Sequence, residues 1–524
     1  MKKPDVMRGT LIIAASLVLS RFLGVFREIL LAGLAGLNAD KNAYDLAFLL
    51  PDIINHLIST GYLSVTFIPV FTGYLVQGKE HKSWDFFSNI LTTCFLLLIG
   101  ATIIVWVFSE PLILALSRSD PNPETLKLAV RYCRIILPAQ LCFFAGAILT
   151  AVQHVNLRFL VPALSGLVYN FSIILGGWLG RTRGLEGFAW GVLLGAFLGS
   201  FLLQIWGGKQ AGARYKLKIN VFDPDFIRFV KLTLPLILGL GAVFALELVF
   251  RVYGSNFGQA GIAKLGYAYR MMYTIVAVFG FSVGVASYPL LARLAKEGKL
   301  LQINDILFST ILKILAIMSP VVLILWFCAE PVIRILFQRG EFSPAATVSV
   351  AQLLKWYLWS SFALSAQIIL LRCYYALEKM WLPTLINTGI FFLTLPLYEL
   401  FSAKFGIRGI PMAGFIGTGL QVMVLLLVWA KLAGIRGKGG AGVEALKIMA
   451  ALLIMLLSIS FFHDAIFKLQ PDSSWPLAVF LLVFCISVFS LQISLQWLFR
   501  VSATRSIVRD FSLKMGLGTK ARKV

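Results

Sequence analysis

The sequence predicts an all-α polytopic membrane protein of about 14 transmembrane helices, built as two parallel six-helix repeats followed by two C-terminal helices. Three observations carry that prediction. Hydrophobic residues make up 59% of the 524 and charged residues only 14%, with a mean hydropathy of +0.86, values of a chain that sits in lipid rather than water. Runs of about 20 or more mostly apolar residues recur along the chain, each long enough to cross the hydrocarbon core as a helix. The pattern also repeats itself at an offset of about 220 residues.

Candidate helices lie near residues 9–36, 43–77, 84–109, 125–153, 159–180, 186–208, 226–254, 260–292, 303–328, 345–376, 382–402, 409–433, 444–463 and 475–499. The first carries Arg21, Arg27 and Glu28 in an otherwise apolar run. A charge at mid-membrane costs a few kcal/mol, so it faces a bundle interior or a water-filled cavity. Arginine cannot shed its proton, and its planar fork matches phosphate oxygens. Arg21 and Arg27 are six positions apart, about 240° around a helix. Either a wide cavity sees both, or one holds the ligand while the other braces a neighbouring helix. Glu28 lies on nearly the same face as Arg21 but two turns away, too far for direct pairing within the helix. The stretch is too long, and too interrupted by arginine, for a cleavable signal peptide.

The second and eighth candidates are longer than a bilayer requires, and both contain proline. They read as bent helices lining a cavity, because irregular backbone at membrane depth must face protein or water; Pro51, Gly61, Pro69 and Pro289 are the hinge candidates. In the second, Asp45 and Asp52 fall on similar faces with His56 one turn further, a gate or proton-sensitive stretch or simply a hydrogen-bonded one. Glu247 and Arg251 in the seventh are spaced i, i+4 and read most simply as an ion pair, with a cation-coupling role for Glu247 as the alternative. In the eighth, Lys264 precedes Arg270 by six residues, repeating the spacing of Arg21 and Arg27. Four such cations facing one another between the halves would offer an anionic headgroup charge-assisted hydrogen bonds. Arg131 and Arg134 open the fourth helix near the external surface, where long basic side chains snorkel.

The repeat is visible residue by residue. Trp106-Val-Phe-Ser-Glu110-Pro111 recurs as Trp326-Phe-Cys-Ala-Glu330-Pro331, and Phe87-Ser-Asn-Ile-Leu91 as Phe308-Ser-Thr-Ile-Leu312. Pro69, Gly78-Lys79 and Pro162 correspond to Pro289, Gly298-Lys299 and Pro383. The boundaries are 1–208 and 226–433 for the halves, 209–225 for a cytoplasmic linker, 434–499 for the two added helices and 500–524 for a basic cytoplasmic tail. Such repeats typify transporters, with the substrate site between the halves. A scaffold that no longer transports is the alternative.

The 47 Lys and Arg against 24 Asp and Glu give a net charge of +23. In a soluble protein this would suggest nucleic acid. Here the basic residues concentrate at Lys2, Lys3 and Arg8, in Lys209 to Lys231, in Arg293 to Lys299 and in Arg500 to Lys523, all on one side. The positive-inside rule puts that side, and both termini, in the cytoplasm, with the tail against anionic lipid. The six cysteines form no C-x-x-C pair and the four histidines no metal-ligand spacing, so neither a metal nor a disulfide framework is expected. No phosphate-binding loop and no catalytic constellation is apparent. The chain reads as a transporter, without a cofactor, driven by the membrane potential or an ion gradient.

Several stretches, in order and on the expected helices, carry a family likeness along essentially the whole chain. They are Ser20-Arg21-x-x-Gly24-x-x-Arg27, Ala47-Phe48-x-x-Pro51, Gly61 through Phe67-Ile68-Pro69-Val70, Tyr267-Ala-x-Arg270, Gly284 to Pro289, and Leu336-Phe337-Gln-Arg339-Gly340-x-Phe342. With them the chain resembles the MurJ (MviN) family of lipid II flippases, of the superfamily that includes the MATE exporters. The resemblance implies that Arg21, Arg27 and Arg270 line a central cavity and engage a lipid-linked pyrophosphate. It also implies a groove for the lipid tail on the last two helices, and a bacterial inner-membrane role in peptidoglycan biosynthesis and cell shape. The expected partners are the lipid-linked sugar pyrophosphate, membrane lipids and other cell-wall synthesis proteins. Asn42 stands where the family typically has an acidic residue, Asn55-His56 where many members have a basic pair, and Tyr273 where many have an acidic one. A flippase for another polyprenyl-linked oligosaccharide shares nearly all these features. A MATE-like drug antiporter would instead carry intramembrane carboxylates and few cations.

Overall fold

A computed structural model of the chain describes residues 19–20, 22–58, 60–117, 122–156, 158–238, 242–433, 440–461 and 474–514. Among the described residues the secondary structure is helical, without strands. Two compact units emerge, one of residues up to Tyr267 with Phe337–Ala346, the other of Ala268–Leu336 with Thr347 onward.

The first unit begins with a helix at 22–35 (α1). The second candidate span is broken at Phe48, between α2 (Ala39–Ala47) and α3 (Leu49–Ile58), with α4 (Thr60–Val76) beyond. There follow α5 (Glu80–Val107), α6 (Ser109–Leu116), α7 (Pro123–Ile136), α8 (Ala139–Val155), α9 (Leu160–Leu179), α10 (Glu186–Gly195), α11 (Leu203–Gln210), α12 (Pro224–Leu238), α13 (Ala242–Gly254) and the start of α14 (Gly261–Val276). A π-helical stretch, Ala196–Leu202, joins α10 to α11. Local chemistry starts these helices. Asn122 accepts from the Glu124 N–H (3.2 Å) ahead of Pro123 at the first position of α7, where a missing N–H costs nothing.

α9 and α10 meet through glycine. A Cβ on Gly187 would lie 2.4 Å from the Gly176 carbonyl oxygen and 2.8 Å from the Gly180 Cα, and one on Gly191 2.7 Å from the Ile173 Cα. Small residues at four-residue spacing let two backbones touch, the packing that holds helices together in lipid, where burial of apolar surface gives little.

The second unit contains the rest of α14, a π stretch Ala277–Phe281, α15 (Ser282–Lys296), α16 (Leu300–Phe327), most of α17 (Ala329–Phe337) and of α18 (Pro344–Ala376), α19 (Trp381–Phe405), α20 (Gly409–Leu432), α21 (Gly440–Phe461), α22 (Ser474–Leu498) and α23 (Ser502–Lys514). Pro320 lies inside α16 and removes the N–H that would have bonded the Ala316 carbonyl. Gln496 on α22 takes that carbonyl (3.1 Å) and the Ser319 hydroxyl (2.7 Å), and its own oxygen accepts from Thr504 on α23 (2.6 Å). Leu323, Phe327, Met455, Ile459, Phe484 and Val488 form an apolar cluster that packs α21 and α22 on α16.

The internal repeat recurs in the backbone. α5 and α16 are each 28 residues long and start 220 positions apart. Each follows a left-handed glycine, Gly78 at φ +72° and Gly298 at φ +69°. Each is capped by a lysine, with φ, ψ of −93°, 56° at Lys79 and −87°, 61° at Lys299. Glycine is needed in that turn because a side chain is strained at such φ.

Eight described stretches are long and apolar enough to cross a membrane. They include Glu80–Val107, Leu160–Leu179, Leu300–Phe327 and Val479–Leu498. They fall on the third to sixth, ninth and eleventh to fourteenth candidates, with Trp381–Leu432 covering two of them, and much of the first candidate lies outside the described residues.

Candidate functional site

The polar side chains singled out in the sequence gather mostly in the first unit. Arg21 lies outside the described residues. Arg27, on α1, donates from Nη1 to Asn170 Oδ1 on α9 (3.3 Å) and from Nη2 to Glu28 Oε1 (2.9 Å). Glu28 is buried and Arg27 half-buried. Glu28 therefore pairs with its neighbour, although adjacent helix positions do not ordinarily face each other. Asn170 is the organiser: its amide nitrogen donates to the Gly166 carbonyl (2.9 Å) and the Ser20 hydroxyl (3.2 Å), leaving its oxygen aimed at the guanidinium.

α2 opens at Asn38, which accepts from the Lys41 N–H (3.0 Å). Asp40 accepts from the Tyr132 hydroxyl (2.6 Å) and the Leu185 N–H (3.1 Å), tying this end to α7 and α10. Next to Asp40, Lys41 Nζ stands 2.6 Å from Oδ1 of Asp45 one turn on, both side chains at 0% exposure, with the ammonium 4.7 Å from the centre of the Tyr267 ring. Asn42 accepts from the Ala263 N–H (3.1 Å), filling one of the donors that the start of α14 leaves open. An aspartate there would make the same bond and complement the helix dipole.

Asp52 is held from a different helix. Asp52 on α3 meets Arg251 on α13 at 2.7 Å, and Arg251 also holds Glu247 at 3.1 Å. The arginine is sealed at 3% side-chain exposure, whereas Asp52 and Glu247 are at 24% and 32%. Tyr169 lies within electrostatic reach of both Arg27 and Asp52. The His56 ring stacks on Phe244, centroids 4.0 Å apart and planes 3° from parallel, and Asn55 is half-buried beside it.

Lys264 is half-buried on α14. Arg270, described with the second unit, is also half-buried, and its carbonyl accepts from the Thr274 hydroxyl (2.9 Å). Tyr273 stacks on Tyr269 at 5.9 Å. Of the hinge candidates, buried Pro51 sits in the first turn of α3, just past the break at Phe48. Gly61 and Pro69 lie within α4, and Pro289 within α15. Among the described residues no three His, Cys, Asp or Glu gather as a metal would need.

Sequence reasoning missed Asn170, Asp40 and the Asp52–Arg251 contact. Each joins positions more than 90 residues apart, and only Asp52 and Arg251, both visible as charges in apolar spans, carried a signal of their own.

Helical membrane proteins of transporter type share this fold. It matches the solved structure titled lipid II flippase MurJ, inward closed conformation, with TM-score 0.76, 21% identity, 95% of this chain and 100% of that one. It also matches the eukaryotic MATE transporter AtDTX14 with TM-score 0.63 and 15% identity over 82% and 98%. The family model for the lipid II flippase MurJ matches residues 31–474, and the chain belongs to that family, one of transporters rather than enzymes. The probable lipid II flippase MurJ of Bdellovibrio bacteriovorus is 27% identical over 433 residues, covering 81% of this chain and 82% of its own. That of Vibrio cholerae serotype O1 is 25% identical over 352 residues, covering 65% and 67%.

Proposed function

We propose that this chain moves lipid II from the inner to the outer leaflet of the bacterial cytoplasmic membrane. The observation that carries the reading is family membership across residues 31–474. In this account about 14 helices cross the membrane with both termini cytoplasmic. Two six-helix halves, 1–208 and 226–433, rock to give alternating access, and the helices within 434–499 serve the lipid tail. Arg21, Arg27, Lys264 and Arg270 supply the cations that meet the pyrophosphate, and the membrane potential or an ion gradient supplies the energy.

The arrangement around Arg27 supports a specific step. Its guanidinium is held between Asn170 and Glu28, so its charge is compensated within the protein. A pyrophosphate carries more charge than one carboxylate and accepts bidentate hydrogen bonds from the same donors. It displaces Glu28, while Asn170 keeps the guanidinium aimed. Release then restores the Arg27–Glu28 pair, which favours letting go of the headgroup.

The test is rescue of cells depleted of their own lipid II flippase, with the wild type beside Arg21→Ala, Arg27→Ala and Arg270→Ala at matched membrane levels. Rescue by the wild type and failure of the alanine variants is expected. Failure of a correctly inserted wild type would remove lipid II as the substrate.

A further inference from the structure

A second polar site lies apart from the residues just described. Trp106 at the end of α5, Glu110 on α6, Lys127, Arg131 and Arg134 on α7 and Trp190 on α10 line one pocket of about 590 Å³. The basic residues are spaced i, i+4 and i+7, which puts them on one face of α7. The charge pattern of the loops places this end of α5 and α7 at the outer surface of the membrane. Trp106 and Trp190, 44% and 53% exposed, stand where interfacial tryptophans mark the headgroup level.

The charges in the pocket are not equivalent. Arg131 is spent on Glu186 (2.7 Å), whose carboxylate also accepts from Trp190 Nε1 (3.3 Å). Arg134 is braced by its Nε, which donates to the Ser109 hydroxyl (3.0 Å) and the Trp106 carbonyl (3.3 Å), with its plane over the Trp106 ring at 5.0 Å. That leaves the two terminal nitrogens of Arg134 without a protein acceptor among the described residues. Lys127 and Glu110 likewise have no ion-pair partner among them. Simple snorkelling needs neither a braced guanidinium nor a pocket. Two cations and one carboxylate at headgroup depth match a ligand that carries a phosphodiester and a primary amine together.

We propose that this pocket binds the headgroup of a phosphatidylethanolamine molecule of the outer leaflet. Arg134 and Lys127 hold its phosphodiester, and Glu110 accepts from its ammonium. The site is separate from the transport path and would fix one annular lipid to the α5–α7 corner of the first unit.

Native mass spectrometry of the full-length protein, titrated in micelles with phosphatidylethanolamine or phosphatidylglycerol, tests this. The wild type is expected to retain phosphatidylethanolamine over phosphatidylglycerol. Lys127→Gln with Arg134→Gln is expected to weaken retention about thirtyfold, the factor for about 1 kcal/mol per basic side chain. An unfolding temperature of the double variant equal to that of the wild type guards against misfolding as the cause. Glu110→Gln should erase the preference between the two lipids. Unchanged retention in the double variant would overturn the site, and so would displacement of the lipid by inorganic phosphate. An unchanged preference in Glu110→Gln would overturn the choice of ethanolamine.

Discussion

The Lys41–Asp45 pair has no access to solvent, and its atoms stand 2.6 Å apart. Removing one partner of such a pair strips the compensation from a charge that cannot reach water, at a cost of about 3–5 kcal/mol. Replacing both with apolar residues of similar volume is instead neutral or even stabilising. Lys41→Met and Asp45→Leu should therefore each be strongly destabilising, and the double variant should recover. At about 2–4 °C per kcal/mol for a unit of this size, each single change lowers the melting temperature by roughly 10 °C. Thermal unfolding in detergent, followed by tryptophan fluorescence, closes the cycle. Single variants melting with the wild type, or a double variant showing the sum of the two losses, would refute the reasoning. The folded double variant also separates packing from gating. If Asp45 only neutralises Lys41, that variant still rescues flippase-depleted cells; if it gates, the variant is stable and inactive.

Further outcomes follow from the same contacts. Asp52→Asn removes a carboxylate 2.7 Å from Arg251 and, with Asp52 only partly buried, should cost about 1–2 kcal/mol by the same unfolding assay. Arg251→Met leaves two carboxylates without their shared cation and should cost more. Gly187→Ala drives a Cβ into the α9 backbone at 2.4 Å and should destabilise by about 1–3 kcal/mol, whereas Gly100→Ala, which meets nothing within 4 Å, should be neutral or slightly stabilising. Glu28→Gln removes the charge that competes for Arg27, so lipid II should bind more tightly while turnover falls; a binding titration beside a transport assay reads both.

Much of the scaffold was legible because lipid leaves few options. An unbroken apolar run such as 84–109 has to be a helix, and Gly78-Lys79 recurring as Gly298-Lys299 announced the same turn twice. What was not legible depends on contacts across the chain. The bend at Phe48 was legible in Pro51, which has no N–H for the Ala47 carbonyl four residues before it, but the tethers on its two sides, Asp40 to Tyr132 and Leu185 and Asp52 to Arg251, were not. The candidate site shows the same divide. Arg27 and the Glu247–Arg251 pair could be read from residue type and helical spacing. The ionic partner of Glu28, the cap that Asn42 gives Ala263 and the aim that Asn170 gives Arg27 could not. Spacing along one helix says which side chains share a face, but not which neighbouring helix that face meets.

The central claim is that the cations of this chain carry the pyrophosphate of lipid II between leaflets. The most direct measurement is the leaflet in which lipid II resides, read with an impermeant enzyme that cleaves only outward-facing lipid II. It would be applied to intact spheroplasts in which this chain is the sole flippase. With the wild type, cleavable lipid II should accumulate outside, and with Arg27→Ala and Arg270→Ala at equal membrane levels it should remain inside. Outward lipid II at the wild-type rate in both variants would contradict the account.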